Sequence, residues 1–452
     1  MEDINTAKKD LTKGSIPDLI KRMAIPASIG LFFQAMYNVT DAYYVGKLSV
    51  NALAGVSISF PIYFLMISIG SGLGIAANAL TAKARGEKNI ESARKTATQA
   101  ILFSIALSIL ASAIGLATSN AIFQLIGAKG EVLTNAVLFM NMTYYGLAFY
   151  FLTMVLNGLL NSIGDTRTFG YVLFFGFLLN ILLDPVFMYG WYGMPKMGVA
   201  GVAFATNITQ LILTLVLLFK VLKNDIIETR IRLVISLWRK LFFQAVPISI
   251  SQASVSFGFL VITKFVSDFG ENALATFGIG TRIDQLVVLP AIGISISVVS
   301  IVGQNFGAKK FDRIKETYKK ALESVVAFSI VGVIAVFIFA DKLAAIFTDS
   351  QTVIEMTTQY LRLTAVGYLS TAVIIVSSSV LQGLAKAHLS LVLTILRFFI
   401  ISIPAVLVFA YFLNLREIGI WAGILISSIC VAVFSYFYLN RVLKKTALVM
   451  QN

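Results

Sequence analysis

The sequence predicts an all-α membrane protein, with twelve transmembrane helices in two six-helix lobes related by a parallel pseudo-two-fold repeat. Three observations predict this fold class: the composition, twelve long apolar stretches and an internal repeat. Of the 452 residues, 58% are hydrophobic and only 13% are charged, and the mean hydropathy is +0.86. Soluble domains carry about 25% charged residues. The composition therefore argues against a soluble enzyme.

Twelve apolar stretches follow one another along the chain, and each can cross a bilayer, which takes about 20 residues. The polar residues 1–22 lack the apolar core and cleavage site of a signal peptide, so we expect the first span to be retained. The stretches are 24–46, 52–81, 97–120, 132–155, 168–190, 198–219, 241–267, 273–303, 322–340, 356–382, 389–413 and 418–440.

The basic residues set the orientation of these spans. Twelve spans place 27 of the 36 Lys and Arg residues in loops on one side and six on the other, and leave Arg282, Arg362 and Arg397 within spans. Basic loops favour the cytoplasmic side, so both termini are predicted to be cytoplasmic. We expect a multi-pass protein of a plasma membrane, such as a prokaryotic inner membrane. The net charge of +14 then reflects topology, and no nucleic-acid partner is expected.

The second half of the chain repeats the first at a constant offset. Pro26 corresponds to Pro247, the sequence Asn-Ala-Leu-Ala at 51–54 recurs at 272–275, and Gly72 corresponds to Gly293. Six spans separate equivalent points, so the two halves have the same orientation, as in transporters with parallel repeats. The predicted domains are an N-terminal lobe (1–219), a cytoplasmic linker (220–240) and a C-terminal lobe (241–452).

Polar residues form a stripe within the first span. Its members are Gln34, Tyr37, Asn38 and Asp41, at positions i, i+3, i+4 and i+7. These positions share one face of a helix. A polar face is costly against lipid, so the stripe should face the lobe interior or a watery cavity.

Spans 5 and 6 carry matching polar pairs, Asn180 with Asp184 and Thr206 with Gln210. At ~1.5 Å rise per residue, Asp41 and Asp184 each lie roughly 10 Å below the outer surface. Oxygen ligands at one depth suit a hard cation such as Na⁺, and two adjacent carboxyl groups can instead hold a proton. The structural alternative is that these polar groups only join helices by hydrogen bonds.

The repeat provides a test of that alternative. The second-half equivalents of Tyr37, Asn38 and Asp41 are Gly258, Phe259 and Ile262, and Asp184 corresponds to an apolar stretch at 405–409. A requirement of the fold should appear in both halves, whereas the acids appear in one. The sequence therefore predicts one ion site, in the N-terminal lobe.

The remaining candidates are interpreted as structural. Asp284 is expected to form an ion pair, and Arg282 cannot be its partner because i and i+2 do not share a helix face. Arg362 and Arg397 are expected to be structural or to snorkel towards the membrane surface. The glycines at 70–74 follow no strand and predict close helix packing rather than nucleotide binding. The single histidine, His388, and the single cysteine, Cys430, predict neither a zinc nor an iron centre.

The set of polar positions resembles the multidrug and toxic compound extrusion (MATE) transporters. The likeness rests on Pro26 and the stripe in span 1, Asn180 with Leu183-Asp184-Pro185 in span 5, and the Gly-x-Ala-Gly start of span 6 with Ala205-Thr206. It also includes the repeated loops Gly86-Glu87-Lys88 and Gly307-Ala308-Lys309, and it covers nearly the whole chain.

The resemblance implies a V-shaped, two-lobed antiporter that exports drugs against an inward Na⁺ or H⁺ gradient. It assigns the cation or proton site to Asp41, Asn180, Asp184 and Thr206, and the adjacent cavity to Gln34, Tyr37, Asn38 and Asn157. Spans 7 and 10 offer Gln252, Ser377–Ser379 and Gln382 but no carboxylate. The chain thus resembles the branch of the family without an acidic site in the C-terminal lobe.

The predicted function is secondary active export of amphiphilic, often cationic, organic molecules by a monomer in the lipid bilayer. No cofactor is expected beyond Na⁺ or H⁺ as the coupling ion. The alternative is a flippase for lipid-linked oligosaccharides, which the three arginines within spans leave open. A membrane-embedded enzyme or receptor is a third class, and the lack of a nucleophile–base set argues against it.

Overall fold

The computed structural model describes residues 10–228 and 232–451, and this part of the chain is helical without strands. The start of the polar N-terminus, up to residue 9, and residues 229–231 of the predicted linker lie outside it. The α-helices are α1 (Ile16–Leu48), α2 (Val50–Gly86), α3 (Ile90–Leu125), α4 (Gly130–Ser162), α5 (Arg167–Tyr189), α6 (Val199–Lys223), α7 (Ile235–Ser267), α8 (Glu271–Gly307), α9 (Phe311–Ala345), α10 (Gln351–Ala365), α11 (Gly367–Gly383), α12 (Ala387–Ile395), α13 (Ile403–Val406) and α14 (Arg416–Gln451).

The helices agree with the twelve predicted spans. Within the described residues, ten helical segments are long and apolar enough to cross a membrane, and the bent pair α10–α11 supplies an eleventh. The 33-residue helix α1 is the twelfth long segment. Its polar stripe lowers its hydropathy, which explains why α1 is not among the segments counted as apolar enough to cross a membrane.

Spans 10 and 11 are less regular than the continuous helices predicted at 356–382 and 389–413. Span 10 bends by 48° between α10 and α11. Gly367 begins α11, and the Thr364 hydroxyl donates to the Tyr360 carbonyl one turn before the break, at 2.9 Å. Glycine and such back-bonding both favour kinks. In span 11, π-helical turns at Leu396–Ser402 and Leu407–Phe412 flank α13, which contains Pro404.

The repeat detected in the sequence is present in the backbone. Helices α2 and α8 are equally long, and the offset that relates Pro26 to Pro247 also relates their first residues and their last residues. The start of α9 follows the start of α3 by the same offset. The turns between them also match, because Lys88 and Lys309 both adopt the left-handed conformation, with φ of 58° and 55°. The two halves therefore share their loop geometry as well as their helix lengths.

The chain forms two compact units, and their limits differ from the predicted lobe boundaries. Unit 1 contains Pro26–Ser249, and unit 2 contains Leu11–Ile25 and Ile250–Asn452. Leu11, Ile16 and Met23 are fully buried in a core with α8, α9, α11 and α14, so the start of α1 belongs to unit 2. The start of α7 belongs in the same way to unit 1.

Close glycine contacts join α2 to α4 within unit 1. A Cβ atom at Gly158 would lie 2.1 Å from the Gly74 carbonyl oxygen, and one at Gly74 would lie 2.5 Å from that of Met154. Only glycine permits this approach of two backbones. The glycines at 70–74 therefore serve close helix packing, as predicted.

Candidate functional site

Helices α1 and α5 are held together at two levels of unit 1. Near their starts, a Cβ atom at Gly170 would lie 2.8 Å from the Pro26 carbonyl oxygen. Farther along, the Tyr44 hydroxyl donates to the Ile181 carbonyl at 3.2 Å. Because the helices adjoin at both levels, the polar stripe of α1 faces the polar residues of α5.

The carboxyl groups of Asp41 and Asp184 meet between these helices, and we call the two residues the acid pair. Asn180 and Asp184 are fully buried, and the Asn180 amide donates to Oδ1 of Asp184 at 2.9 Å. The carboxyl group of Asp41 lies against the side chains of Asn180, Asp184 and Thr206. The structure thus brings together all four residues of the predicted cation site.

The acid pair leaves several oxygen atoms without protein partners. Among the described residues, no hydrogen-bond partner reaches the buried atoms Asp41 Oδ1, Asp184 Oδ2, Asn180 Oδ1 or Tyr37 Oη. Unsatisfied buried oxygens are costly. A hard cation coordinated by oxygen, or a proton held between the carboxyl groups, would satisfy them. The donor set therefore fits Na⁺ or H⁺.

The donor set of the acid pair differs from that of a structural zinc site. In residues 10–228 and 232–451, no three His, Cys, Asp or Glu side chains are grouped closely enough to hold a metal ion. Structural zinc sites use three or four such ligands. The group around the acid pair has two carboxylates, and its other oxygens come from an amide, a phenol and a hydroxyl.

A cavity of about 60 Å³ lies beside the acid pair within unit 1. Gln34, Tyr37 and Asn38 line it from α1, as the resemblance implied, and Thr206 lines it from α6. Asn157 is not part of the lining. It lies one helical turn beyond Thr153 and Met154 of α4, past the end of the cavity, and its Oδ1 atom is buried without a partner in the described chain.

Sequence reasoning missed the residues that α2 and α4 contribute to the cavity. Tyr63 comes from α2, and Thr143, Tyr150 and Thr153 come from α4. The residues of α4 recur at helical spacing on one face. That periodicity was a usable signal, but most of these residues also read as ordinary core positions.

Unit 2 has an apolar contact where unit 1 has the polar stripe. A Cβ atom at Gly258, the equivalent of Tyr37, would lie 2.4 Å from the Phe398 ring, and Phe259 packs on the same ring at 6.0 Å between centroids. Ile262 is buried in the adjoining core. Ring packing therefore replaces the ion site at this position in unit 2.

The other charged residues within spans differ partly from expectation. The expected ion pair of Asp284 is wrong: its two oxygens accept hydrogen bonds from the hydroxyls of Tyr360 and Tyr368. Arg282 and Arg362 are exposed. Arg397 is half-buried and donates to the Thr371 hydroxyl at 2.8 Å. Neutral phenols replace a cation at Asp284 because the nearest basic residue along α8 points to another face.

Comparisons with known proteins agree with the repeat and the fold. A family model described as MatE matches residues 26–186 and 247–408, so the two matches begin at Pro26 and Pro247, which are equivalent positions of the repeat. The chain is 26% identical over 430 residues to a protein of Bacillus subtilis named as a probable multidrug resistance protein, YoeA, and the match covers 93% of this chain and 92% of that protein.

Two further likenesses extend over almost the whole chain. A protein of Shewanella oneidensis named as an FAD transporter is 25% identical over 439 residues, or 96% of each chain. A crystal structure of MATE in complex with MaL6 superposes with a TM-score of 0.91 at 26% identity and covers 97% of this chain and 98% of that one.

Proposed function

The chain belongs to the MatE family, and on this basis we propose that it is a secondary active antiporter exporting amphiphilic, often cationic, organic solutes in exchange for Na⁺ or H⁺. It is a multi-pass membrane protein. In this proposal it works as a monomer in the plasma membrane with both termini in the cytoplasm. The acid pair, with its unpartnered oxygens, is the observation that carries the proposal.

Cation binding at the acid pair supplies the coupling. Two carboxylates side by side and shielded from water repel each other unless a cation or a proton lies between them. Binding therefore draws Asp41 towards Asp184, and α1 moves with it. Tyr37 and Thr206 lie both beside the acid pair and in the cavity lining, so this movement reshapes the cavity. A ligand shifts such an equilibrium through its different affinity for the two states.

The cavity chemistry supports an amphiphilic solute. Its lining combines tyrosine rings and apolar side chains with neutral amides and hydroxyls, and among the described residues it has no Lys or Arg. A lipid-linked sugar phosphate would need cationic partners, so the lining favours export over the flippase alternative. The name of the Bacillus relative also supports drug export, while that of the Shewanella relative indicates that similar chains carry other solutes.

The decisive experiment measures dye efflux in vesicles with independently imposed Na⁺ and pH gradients. We expect efflux from the wild-type protein with one inward gradient, which identifies the coupling ion, and its loss in the Asp41→Asn variant at equal expression. Undiminished gradient-driven efflux in that variant would reject the coupling mechanism. Efflux without dependence on either gradient would reject antiport itself.

A further inference from the structure

Unit 2 contains a carboxylate, that of Asp284, whose partners in the described part of the chain are neutral. Asp284 on α8 accepts hydrogen bonds from the hydroxyls of Tyr360 and Tyr368, at 2.7 and 2.6 Å. Both tyrosines are buried, whereas Asp284 itself is half-buried. In the described chain, no Lys or Arg lies within ion-pair distance of it. The phenols orient the carboxylate but leave its charge in place.

A guanidinium of the same unit, that of Arg397, likewise has no acidic partner among the described residues. Arg397 is the second residue of the π-helical segment Leu396–Ser402 in span 11, and its Nη2 atom donates to the Thr371 hydroxyl at 2.8 Å. The guanidinium lies 5.2 Å from the centre of the Phe398 ring. A guanidinium has five N–H donors, and these contacts use one. Its half-buried position leaves the other donors open to a solute.

One helix face holds both charges. Tyr368 and Thr371 are at positions i and i+3 of α11, and such residues are neighbours on a helix surface, about 5–6 Å apart at Cβ. Asp284 and Arg397 therefore approach the same face of α11, each through a neutral hydroxyl. Charges within membrane spans are expensive and normally pair with each other. Here the hydroxyls hold them in fixed positions without pairing.

We propose that Asp284 and Arg397 form a binding site for zwitterionic organic solutes, with the organic cation at Asp284 and a carboxylate at Arg397. Arg397 can take a carboxylate through two parallel N–H donors, which is the geometry that guanidinium favours. The site extends the transporter proposed above, on which it rests. Because the site is a binding site, its occupancy can be measured without transport.

A matched pair of dyes tests the proposal: a rhodamine with a free carboxylate, which is a zwitterion, and its methyl ester, which is a cation. Binding to the purified full-length protein is measured by fluorescence anisotropy. Arg397→Gln should weaken binding of the acid about tenfold or more, as expected for a lost charge-assisted hydrogen bond, and that of the ester less than about twofold. Arg397→Lys should restore part of the loss.

Two further variants separate recognition from folding. Asp284→Asn should weaken the binding of both dyes to the same extent, because both dyes carry the positive charge. Thr371→Val removes the hydroxyl that orients the guanidinium, so it should weaken the binding of the acid dye more than that of the ester. This variant tests the site even if Arg397→Gln folds poorly. Arg362→Gln changes an exposed arginine of the same unit and should leave both affinities unchanged.

Equal weakening of acid and ester by Arg397→Gln and by Thr371→Val, or no weakening of either, overturns the site. Binding of neither dye to the wild-type protein also overturns it. Acid-selective binding in a protein that shows no gradient-driven efflux supports the site and rejects the antiport mechanism, so the two proposals can fail separately.

Discussion

Tyr37 on α1 and Thr206 on α6 contact each other at the boundary between the cavity and the acid pair. Both residues line the cavity, and Thr206 also lies against the carboxyl group of Asp41. The side chains of Tyr37 and Thr206 therefore lie next to both the cavity and the acid pair, which are the proposed sites of the solute and of the coupling ion. We therefore expect these two residues to transmit the effect of ion binding at the acid pair to the cavity.

Removing the two hydroxyls should lower the affinity for the coupling ion, and the effects of the two substitutions should not be additive. Tyr37→Phe and Thr206→Val should each raise the ion concentration for half-maximal efflux several-fold, because each removes an oxygen beside Asp41. In a double-mutant cycle the two effects should differ from additivity by about 0.5–3 kcal/mol, as for residues in contact. The measurement is efflux as a function of Na⁺ concentration or pH.

Thr209→Val is the matched control, because Thr209 is buried one turn along α6 and lies outside the cavity lining. Its ion dependence should equal that of the wild type. Tyr37→Phe should not lower the thermal stability, since it removes a buried hydroxyl that has no partner in the described chain. Strict additivity of Tyr37→Phe and Thr206→Val would show that the hydroxyls act separately.

Replacing Asp184 should uncouple transport and spare solute binding. The Asp184→Asn variant keeps an oxygen that accepts from Asn180, but it can no longer share a proton or a cation with Asp41. Because Asp184 is not part of the cavity lining, dye affinity should stay within about twofold while gradient-driven efflux is lost. Parallel binding and efflux measurements on the purified protein check this.

Asp165→Asn provides the comparison at an acidic residue that lies just before the first turn of the same helix. Asp165 accepts from the Thr168 backbone amide at 3.1 Å at the start of α5. Asparagine serves this capping role equally well, so efflux and stability should both be retained. Loss of efflux in both variants, or loss of dye binding in Asp184→Asn, contradicts a specific coupling role for Asp184.

Helical periodicity and span depth suffice to predict the acid pair. Gln34, Tyr37, Asn38 and Asp41 follow a strict helical spacing, and Asp184 lies at the same depth on a helix of the same direction. These two rules depend only on rise and turn per residue. The two rules suffice here because polar residues are rare in apolar segments and are therefore easy to identify in the sequence.

The same rules could not predict the partners of Asp284 or the path of α1. The hydroxyls of Tyr360 and Tyr368 lie on opposite sides of the break in span 10, and the break depends on local backbone geometry rather than on hydropathy. The start of α1 packs in unit 2 because Leu11, Ile16 and Met23 are buried there. A hydrophobic pattern predicts that such residues are buried but not which core receives them.

Added methyl groups at the glycine contacts of α2 and α4 should destabilise unit 1. In Gly74→Ala and Gly158→Ala the new Cβ atom meets a backbone carbonyl of the facing helix, which cannot rotate away. Overpacking of this kind costs typically about 1–3 kcal/mol. Thermal unfolding in detergent should therefore show a lower midpoint for each variant. The observation that would contradict this packing is a wild-type midpoint in both.

Gly278→Ala is the matched control for these substitutions. A Cβ atom at Gly278, within α8, has no heavy atom within 4 Å. Alanine has a higher helix propensity than glycine by about 1 kcal/mol, so this variant should be as stable as the wild type or slightly more stable. A lower midpoint for Gly278→Ala would indicate that any added methyl group perturbs this protein.

The segment before α1 should detach from unit 2 when Asn305 is removed. The Asn305 amide donates to the Leu11 carbonyl at 3.1 Å, and its Oδ1 atom accepts from Arg313, which itself donates to the Gly14 carbonyl at 2.9 Å. Asn305→Ala breaks the first two contacts and leaves Arg313 poorly oriented. Lys13 is exposed, so faster tryptic cleavage after it reports the detachment.

Buried hydrogen bonds contribute about 0.5–1.5 kcal/mol each, so losing two of them should accelerate local opening, and hence cleavage at Lys13, about tenfold. Asn120→Ala removes an exposed asparagine whose Oδ1 atom accepts from Gln124 of the same helix, and this variant should be cleaved at the wild-type rate. Unchanged cleavage in Asn305→Ala would mean that the segment is held by its other contacts, which include the buried side chains of Leu11 and Ile16 and the hydrogen bonds from Gln304 and Lys310. In that case Leu11→Ala, which removes apolar contacts, should release it instead.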